Sequence, residues 1–128
     1  MISVAELMSE DVQTLPADAR LAEVYQLMRD KHIRHVPIVD SAGGLLGVVS
    51  YLDVMAATPS RFDQETRREV AYSHTRAGDI MQTEVRRVSS STAARQAAKR
   101  MEKLKIGCLP IVDNAKPVGI ITDSDFLG

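Results

Sequence analysis

The sequence predicts an α/β protein made of two copies of one β-α-β-β-α unit. Three observations indicate this class: an internal repeat, amphipathic helical patterns followed by pairs of short apolar runs, and turn-forming residues between those runs. Each copy has only about 50 residues, a length at which an isolated hydrophobic core is marginal. We therefore expect the two copies to pack together as one body.

The internal repeat is clearest in two motifs of each copy. Residues 36–40 (VPIVD) return as residues 109–113 (LPIVD), and residues 47–53 (GVVSYLD) return as residues 119–125 (GIITDSD). The register slips by one residue between the two motifs, where both copies are rich in turn-forming residues. Turns absorb such a change without disturbing the strands they join, so we expect a hairpin there in each copy.

One long amphipathic helix is predicted in each copy. The first begins at about Asp18, a good N-cap residue that follows Pro16. Its apolar face consists of Leu21, Val24, Leu27 and Met28. The second begins near Ser91 or Thr92, and its apolar face consists of Ala94, Ala97, Ala98, Met101 and Leu104. The smaller side chains of the second helix permit a closer approach by whatever packs on it.

The remaining elements and boundaries follow from prolines and charge. Pro37 and Pro110 recur within apolar runs, and a residue without an N–H is tolerated at the start of a strand, so we expect each to open its strand. Residues 58–76 are dense in charge of both signs, which predicts a solvated, partly helical linker. We assign the first repeat to residues 4–57 and the second to 77–128, with its last helix cut short.

Composition narrows the possible functions. Lysine and arginine number 16 against 17 acids, for a net charge of -1, so no basic surplus attracts nucleic acid. Cys108 is the only cysteine, which excludes an intramolecular disulfide and a multi-thiolate metal cluster, and a reducing compartment is expected. Neither a signal peptide nor an apolar run of about 18 residues occurs. We therefore expect a soluble cytoplasmic protein that contacts no membrane.

No catalytic machinery is visible in the sequence. Neither a GxxxxGK[ST] loop nor a GxGxxG loop occurs, and His32, His35 and His74 lack the spacing of metal ligands. Cys108 corresponds to His35 in the first copy, and the spacing indicates no nucleophile-base pair. We therefore predict that the chain is not an enzyme and has no metal site.

A Ser/Thr-x-x-Asp motif ends the last strand of each copy and begins a helix. Ser50 and Asp53, like Thr122 and Asp125, have the spacing of a capping box, which is a purely structural explanation. A helix N-terminus also offers free N–H groups and a positive dipole end to a phosphate, so the two explanations are compatible. Because a carboxylate repels phosphate, either Asp in contact with a nucleotide would accept hydrogen bonds from ribose hydroxyls.

Cationic side chains cluster where each long helix leads into the next strand. They are Lys31, His32, Arg34 and His35 in the first copy, and Lys103 and Lys105 in the second. Cations there suit the helix dipole, and they also suit a phosphate; both interpretations stay open. Arg87 takes the place of Thr14 on the predicted first strand, so the two copies differ at a position that is a candidate to face a cleft.

Taken together, these motifs resemble the CBS domain family, named after cystathionine beta-synthase, over nearly the whole chain. The resemblance implies two CBS repeats packed as one pseudo-twofold module with two clefts, where members typically bind AMP, ADP, ATP or S-adenosylmethionine. It implies a favoured site at Thr14, Ile33, Arg34, Thr122 and Asp125, and a second site at Ser50, Asp53, Arg87, Ile106 and Gly107. Thr14 looks like the threonine that many nucleotide-binding members carry there, whereas Arg87 departs from that pattern. An arginine there would either fill the second cleft or contact a phosphate, and both alternatives stay open.

The resemblance also implies a regulatory role. The module would sense an adenine nucleotide, require no cofactor, form a homodimer and act on an unidentified effector protein or fused domain. Ala94, Ala97 and Ala98 are a candidate dimer face, although packing within the chain explains them equally well. The alternative is a structural dimerisation module that binds no ligand.

Overall fold

The computed structural model describes residues 2–8, 12–59 and 65–126. In chain order the elements are α1 (Val4–Leu7), β1 (Leu15–Pro16), α2 (Leu21–Lys31), β2 (His35–Val39), β3 (Leu45–Ser50), α3 (Tyr51–Ala57), α4 (Glu65–His74), α5 (Ala77–Ile80), α6 (Ala94–Leu104), β4 (Cys108–Asp113), β5 (Lys116–Thr122) and a 3₁₀ turn (Asp123–Phe126). The expected shortened last helix falls partly on residues 127–128, which lie outside the described part of the chain.

The chain divides into two compact units. The first-repeat unit contains residues 13–42 and 46–83, and the second-repeat unit contains residues 1–12, 43–45 and 84–128. The N-terminal segment thus belongs to the unit of the second repeat, while α4 and α5 belong to the unit of the first. The repeat boundaries drawn from the sequence describe the duplication and stay a prediction.

The first-repeat unit is built on a three-stranded sheet in the order β1-β2-β3, with β1 parallel to β2. Helix α2 lies against it and buries the predicted apolar face, with Leu27 half-buried at its margin. The fully buried side chains of this core include Leu21, Val24, Val36, Ile38, Val49 and Val54. These side chains are all aliphatic, in agreement with a sequence that has no tryptophan and only 4% aromatic residues.

Helix α2 begins later than the sequence predicts. Its N-cap is Arg20, and the predicted cap Asp18 lies in a turn that precedes it. The cause is a distant backbone partner: the Leu21 N–H donates to the Thr75 carbonyl at 2.8 Å, and the Arg20 N–H donates to the Glu23 carboxylate at 3.3 Å. The Leu21 bond satisfies the first helical N–H, which has no partner within the helix.

Helix α4 covers part of α2 in the same unit. The rings of Tyr25 on α2 and Tyr72 on α4 stack with centroids 6.4 Å apart and planes 19° apart. The predicted linker is therefore helical in its second half, and the helix packs on the core instead of standing in solvent. Residues 60–64 of that linker lie outside the described residues.

The second-repeat unit is built on an antiparallel hairpin of β4 and β5, with Leu109 opposite Ile121. Helix α6 packs Ala97 and Met101 into the same core as the hairpin, together with Val4 from α1. Ala94 of α6 is buried as well. Two members of the predicted face behave differently, because Ala98 is half-buried and Leu104 is 38% exposed.

The start of α6 also departs from prediction, for the same kind of reason as α2. Its N-cap is Ala93, two or one residues after the predicted Ser91 or Thr92. The Ala94 N–H donates to the Ile2 carbonyl at 2.8 Å, and the Val4 N–H donates to the Thr92 carbonyl at 2.8 Å. Backbone pairing with the N-terminal segment thus replaces a side-chain cap.

Two strand predictions were wrong. Pro37 and Pro110 are each the third residue of their strand, not the first. Pro110 is tolerated there because its backbone faces away from β5: its carbonyl accepts the Val88 N–H at 3.2 Å, so the pairing with β5 needs no N–H from Pro110. The first strand expected around Arg86 and Arg87 is reduced to a single parallel bridge between Val88 and Ile111.

Candidate functional site

The end of β3 and the start of α3 form a complete capping box in the first-repeat unit. The Ser50 N–H donates to Asp53 Oδ2 at 2.8 Å, and the Asp53 N–H donates to Ser50 Oγ at 3.1 Å. The structural interpretation of this motif is therefore confirmed. Ser50 Oγ accepts in the box, and its own proton has no acceptor among the described residues.

Gln82 is a member of this site that the sequence did not reveal. Its side-chain Nε2 donates to Asp53 Oδ1 at 3.2 Å. Its backbone forms an antiparallel bridge with Val48, through N–H to carbonyl distances of 3.0 and 2.9 Å. Gln82 directly follows Ile80 and Met81, which match Leu7 and Met8 in the internal repeat. No sequence pattern indicated that Gln82 belongs to a site.

Arg34 lies beside the same strand-to-helix junction. Its carbonyl accepts the Tyr51 N–H at 2.7 Å, and its guanidinium carbon lies 5.2 Å from the centre of the Tyr51 ring. This geometry holds an exposed cation over an aromatic face at the first residue of α3. Ile33, the residue before it, is half-buried against the core, and Thr14 is half-buried just before β1.

The matching motif of the second-repeat unit is built differently. The Thr122 N–H donates to Asp125 Oδ2 at 2.7 Å, but Thr122 Oγ1 donates to that same oxygen at 3.3 Å and lies 2.9 Å from Ser124 Oγ. The tighter 3₁₀ turn from Asp123 to Phe126 thus contains only half of a capping box. Asp125 Oδ1 accepts no hydrogen bond from the part of the chain that the structure describes.

Ile106 and Gly107 border an open groove of about 420 Å³ in the second-repeat unit. The Gly107 carbonyl accepts the Asp123 N–H at 3.1 Å, which ties this segment to the turn that follows Thr122. The other groove residues are Ala98, Met101, Glu102, Lys105, Asp123 and Phe126. Arg87 is exposed, and its carbonyl accepts a hydrogen bond from Arg100 at 3.4 Å.

Cys108 has the environment of an unreactive thiol. Burial is the main cause that raises its pKa to about 12, and the negative charges of Asp123 and Asp125 add to the shift. A thiol with this pKa is protonated at neutral pH and is a poor nucleophile. No three His, Cys, Asp or Glu side chains within residues 2–8, 12–59 and 65–126 are grouped closely enough to hold a metal ion.

Each unit by itself holds five of the ten predicted site residues. Thr14, Ile33, Arg34, Ser50 and Asp53 lie in the first-repeat unit, and Arg87, Ile106, Gly107, Thr122 and Asp125 lie in the second-repeat unit. Within the first-repeat unit, Arg34 contacts the residue that follows Ser50. Within the second-repeat unit, Gly107 contacts the residue that follows Thr122. Both predicted sites draw on both units, so their composition stays a prediction.

Two α/β repeats, each ending in a Ser/Thr-x-x-Asp junction, define a duplicated module. The model of the CBS domain family matches residues 4–60 and 77–128. The chain belongs to the CBS domain family, and the predicted α/β class with two CBS repeats is confirmed. Pairs of CBS domains are regulatory and generally not enzymatic. No helix in the described ranges has both the length and the apolar character needed to cross a bilayer.

Sequence relatives include chains of similar and of much greater length. A CBS domain-containing protein of Dictyostelium discoideum is 29% identical over 98% of this chain and 89% of its own length. A homoserine O-acetyltransferase of Methanococcoides burtonii is 31% identical over 97% of this chain. The chain spans only 23% of the length of that acetyltransferase.

Solved structures share the fold over almost the whole chain. A Vibrio cholerae structure described as that of an acetoin utilization protein, AcuB, is 39% identical with a TM-score of 0.84, and the match covers 99% of this chain and 88% of the other. The CBS domain pair of MJ0100, bound to 5′-methylthioadenosine and S-adenosylmethionine, is 23% identical with a TM-score of 0.82. CBSX2 of Arabidopsis thaliana, bound to AMP, is 24% identical with a TM-score of 0.81. Both of these matches cover 99% of this chain and 94% of the other.

Proposed function

We propose that this chain is a regulatory module that binds an adenine nucleotide or S-adenosylmethionine. The observation that carries the proposal is the pair of strand-to-helix junctions, each of which holds an Asp carboxylate by the backbone N–H of its Ser or Thr. An oriented carboxylate suits the hydroxyls of a ribose, which are neutral donors. The adenosyl ligands bound by the MJ0100 and CBSX2 structures support the same ligand class.

The residues divide by chemistry into three roles. Asp53 and Asp125 accept hydrogen bonds from ribose hydroxyls, and the free hydroxyl proton of Ser50 donates to a ligand oxygen. The exposed guanidinium of Arg34 pairs with phosphate. The half-buried side chains of Ile33 and Ile106 offer apolar surface to the adenine ring. Thr14, Thr122, Arg87 and Gly107 complete the two residue sets that the family resemblance implies.

The set with Thr14, Ile33, Arg34, Thr122 and Asp125 remains the favoured site. Its Asp125 has one carboxylate oxygen that accepts nothing from the described residues, whereas both oxygens of Asp53 already accept hydrogen bonds. A ligand hydroxyl therefore shares Asp125 Oδ1 with no donor of the described residues, whereas at Asp53 Oδ1 it shares the oxygen with Gln82 Nε2. This difference favours Asp125 by at most the net value of one hydrogen bond, about 1 kcal/mol.

Binding would be measured by calorimetry and thermal unfolding with AMP, ADP, ATP and S-adenosylmethionine. At a hundredfold excess over Kd, a ligand stabilises the folded chain by about 2.7 kcal/mol, which raises Tm by several degrees. Asp125→Ala should weaken binding more than Asp53→Ala does. Asp30→Ala removes an exposed carboxylate of α2 that accepts from Gln26, and it serves as the matched control. A chain that responds to none of the four ligands would be the ligand-free dimerisation module instead.

The homodimer, the cytoplasmic location and the effector are further parts of the proposal. Ala94 and Ala97 are buried, which supports packing within the chain as the explanation of the alanine face considered from the sequence. Leu52 and Met55 on α3 are exposed at 73% and 37%, and they supply an apolar surface for a second copy. Analytical ultracentrifugation of the wild type and of Leu52→Glu tests the dimer surface. A negative charge at residue 52 should shift the dimer to monomer, and an unchanged dimer would exclude this surface.

A further inference from the structure

We propose that Gln82 is a specificity-determining residue of the Asp53 site, where it orients the carboxylate and helps to select a ribose over a 2′-deoxyribose. The inference rests on the proposed function and refines it. It starts from the hydrogen bonds of Asp53, whose Oδ2 receives the Ser50 N–H while its Oδ1 receives Gln82 Nε2. With one bond to each oxygen, the plane of the carboxylate is determined.

The backbone of Gln82 is held in place independently of its side chain. Two backbone hydrogen bonds join Gln82 to Val48, on the strand that leads into the Ser50 junction. Gly47 permits this close approach, because a Cβ at that position would lie 2.6 Å from the Gln82 carbonyl oxygen. The side chain of Gln82 therefore extends from a fixed backbone position. Its Nε2 donates to Asp53, and its Oε1 is left to interact with a ligand.

The amide and the carboxylate together present two acceptors to solvent. Each carboxylate oxygen accepts more than one hydrogen bond, so Asp53 Oδ1 keeps capacity after it accepts from Gln82. Gln82 Oε1 receives no hydrogen bond from the described residues, and Gln82 is exposed. Two neighbouring acceptors match the two neighbouring O–H donors of a ribose 2′,3′-diol. A 2′-deoxyribose lacks the 2′-hydroxyl, so one of the two acceptors would receive no hydrogen bond from the sugar.

The second repeat has no such amide in the described part of the chain. Asp125 Oδ1 has no protein donor there, and the position that matches Gln82 by the repeat is Ser9, which lies outside the described residues. The Asp53 site should therefore discriminate against a deoxyribose more strongly than the Asp125 site.

The test measures the affinities of AMP and 2′-deoxyAMP, and of ATP and 2′-deoxyATP, by calorimetry. Asp125→Ala is the background, because it leaves the Asp53 site as the one to be measured. Gln82→Met keeps the volume of the side chain but removes the amide. The matched control is Gln96→Met, at an exposed glutamine of α6. Far-UV circular dichroism and thermal unfolding check that each variant is folded.

We expect Gln82→Met to weaken ribonucleotide binding by about 3- to 10-fold, the range for one neutral hydrogen bond, with little change for the deoxynucleotide. The ratio of the two affinities should therefore fall by the same factor, while Gln96→Met leaves it unchanged. A purely structural role would change both affinities equally, and that result would overturn the inference while the proposed function stands.

Two other results would also decide the matter. If the wild type binds a nucleotide but the Asp125→Ala background binds none, the Asp53 site takes no nucleotide and the role of Gln82 is refuted, again without harm to the proposed function. If the wild type binds neither AMP nor ATP, the inference fails, and the proposed function fails with it only if ADP and S-adenosylmethionine do not bind either.

Discussion

Gly47 provides the sharpest test of how the first junction is built. A Cβ at residue 47 would lie 2.6 Å from the Gln82 carbonyl oxygen and 3.0 Å from the Met81 sulfur, and real Cβ contacts are essentially never under 3.0 Å. The backbone oxygen cannot swing aside as the end of a side chain can. Gly47→Ala therefore forces the bridge between Val48 and Gln82 apart.

The expected cost follows from that overlap. Overpacking a tight site costs about 1–3 kcal/mol, and weakening two backbone hydrogen bonds adds about 1 kcal/mol each at most. We expect Gly47→Ala to lower the free energy of unfolding by about 2–3 kcal/mol. For a chain of this size the corresponding fall in Tm is about 6–15 °C. Urea unfolding followed by circular dichroism measures the former, and calorimetry the latter.

Gly107→Ala is the matched control. A Cβ there would find its nearest neighbour, Asp123 Oδ2, at 3.6 Å, which is ordinary contact distance. Alanine also reduces the conformational entropy of the unfolded chain. Gly107→Ala should therefore leave the free energy of unfolding unchanged or raise it by about 0.4 kcal/mol. If Gly47→Ala matched Gly107→Ala in stability, the argument from close backbone approach would be refuted.

Three further predictions concern stability and reactivity. Leu109→Ala, at a fully buried core position, should lower the free energy of unfolding by about 2–5 kcal/mol, whereas Val70→Ala, at 51% exposure, should change it by under about 0.5 kcal/mol; equal effects in urea unfolding would contradict the assigned core. The raised pKa of Cys108 means that the folded chain keeps a proton that the unfolded chain loses, so stability should fall as the pH rises from about 9 towards 12, and Cys108→Ala should flatten that decline in alkaline unfolding curves. The hydroxyl and N–H of Ser90 lower the pKa of Asp113 from its usual 3.8, so stability present above that pH should be lost as the pH falls through the lower folded value; Ser90→Ala should weaken this acid dependence, and an unchanged acid-unfolding profile would exclude the contact.

The elements that were predicted correctly are those that depend on the spacing of residues close together in the sequence. Most of the predicted apolar positions of α2 and of α6 are buried, as their helical period requires. The two hairpin motifs appear as strands in the expected order. Each of these features depends on residues a few positions apart, and so the periodicity of the sequence was sufficient to find it.

Helix starts and strand starts were harder to predict, for a common reason. Arg20 and Ala93 are poor capping residues by type, yet α2 and α6 begin after them because backbone carbonyls of Thr75 and Ile2 serve the first helical N–H groups. These partners come from distant parts of the chain. Side-chain capping preferences therefore predicted earlier helix starts, at Asp18 and at Ser91 or Thr92, and in the structure these residues precede the helices.

The candidate site shows the same division. The Ser50 and Asp53 box is local, and its pattern was readable at three-residue spacing. Gln82 meets Asp53 across a separation of 29 residues, and no motif of the sequence joins them. The different hydrogen bonding of Thr122 and Asp125 was equally hidden, since the spacing in the two repeats is identical.

The sequence by itself determined the duplication, the aliphatic cores and the Ser/Thr-x-x-Asp end of each repeat, because all three are expressed in the order and spacing of neighbouring side chains. The tertiary structure alone decided that the N-terminal segment completes the unit of the second repeat, that α4 covers α2, and that Gln82 orients Asp53. These features depend on hydrogen bonds and packing between residues far apart in the chain. Such contacts are selected by the total free energy of the folded unit, which no local pattern records.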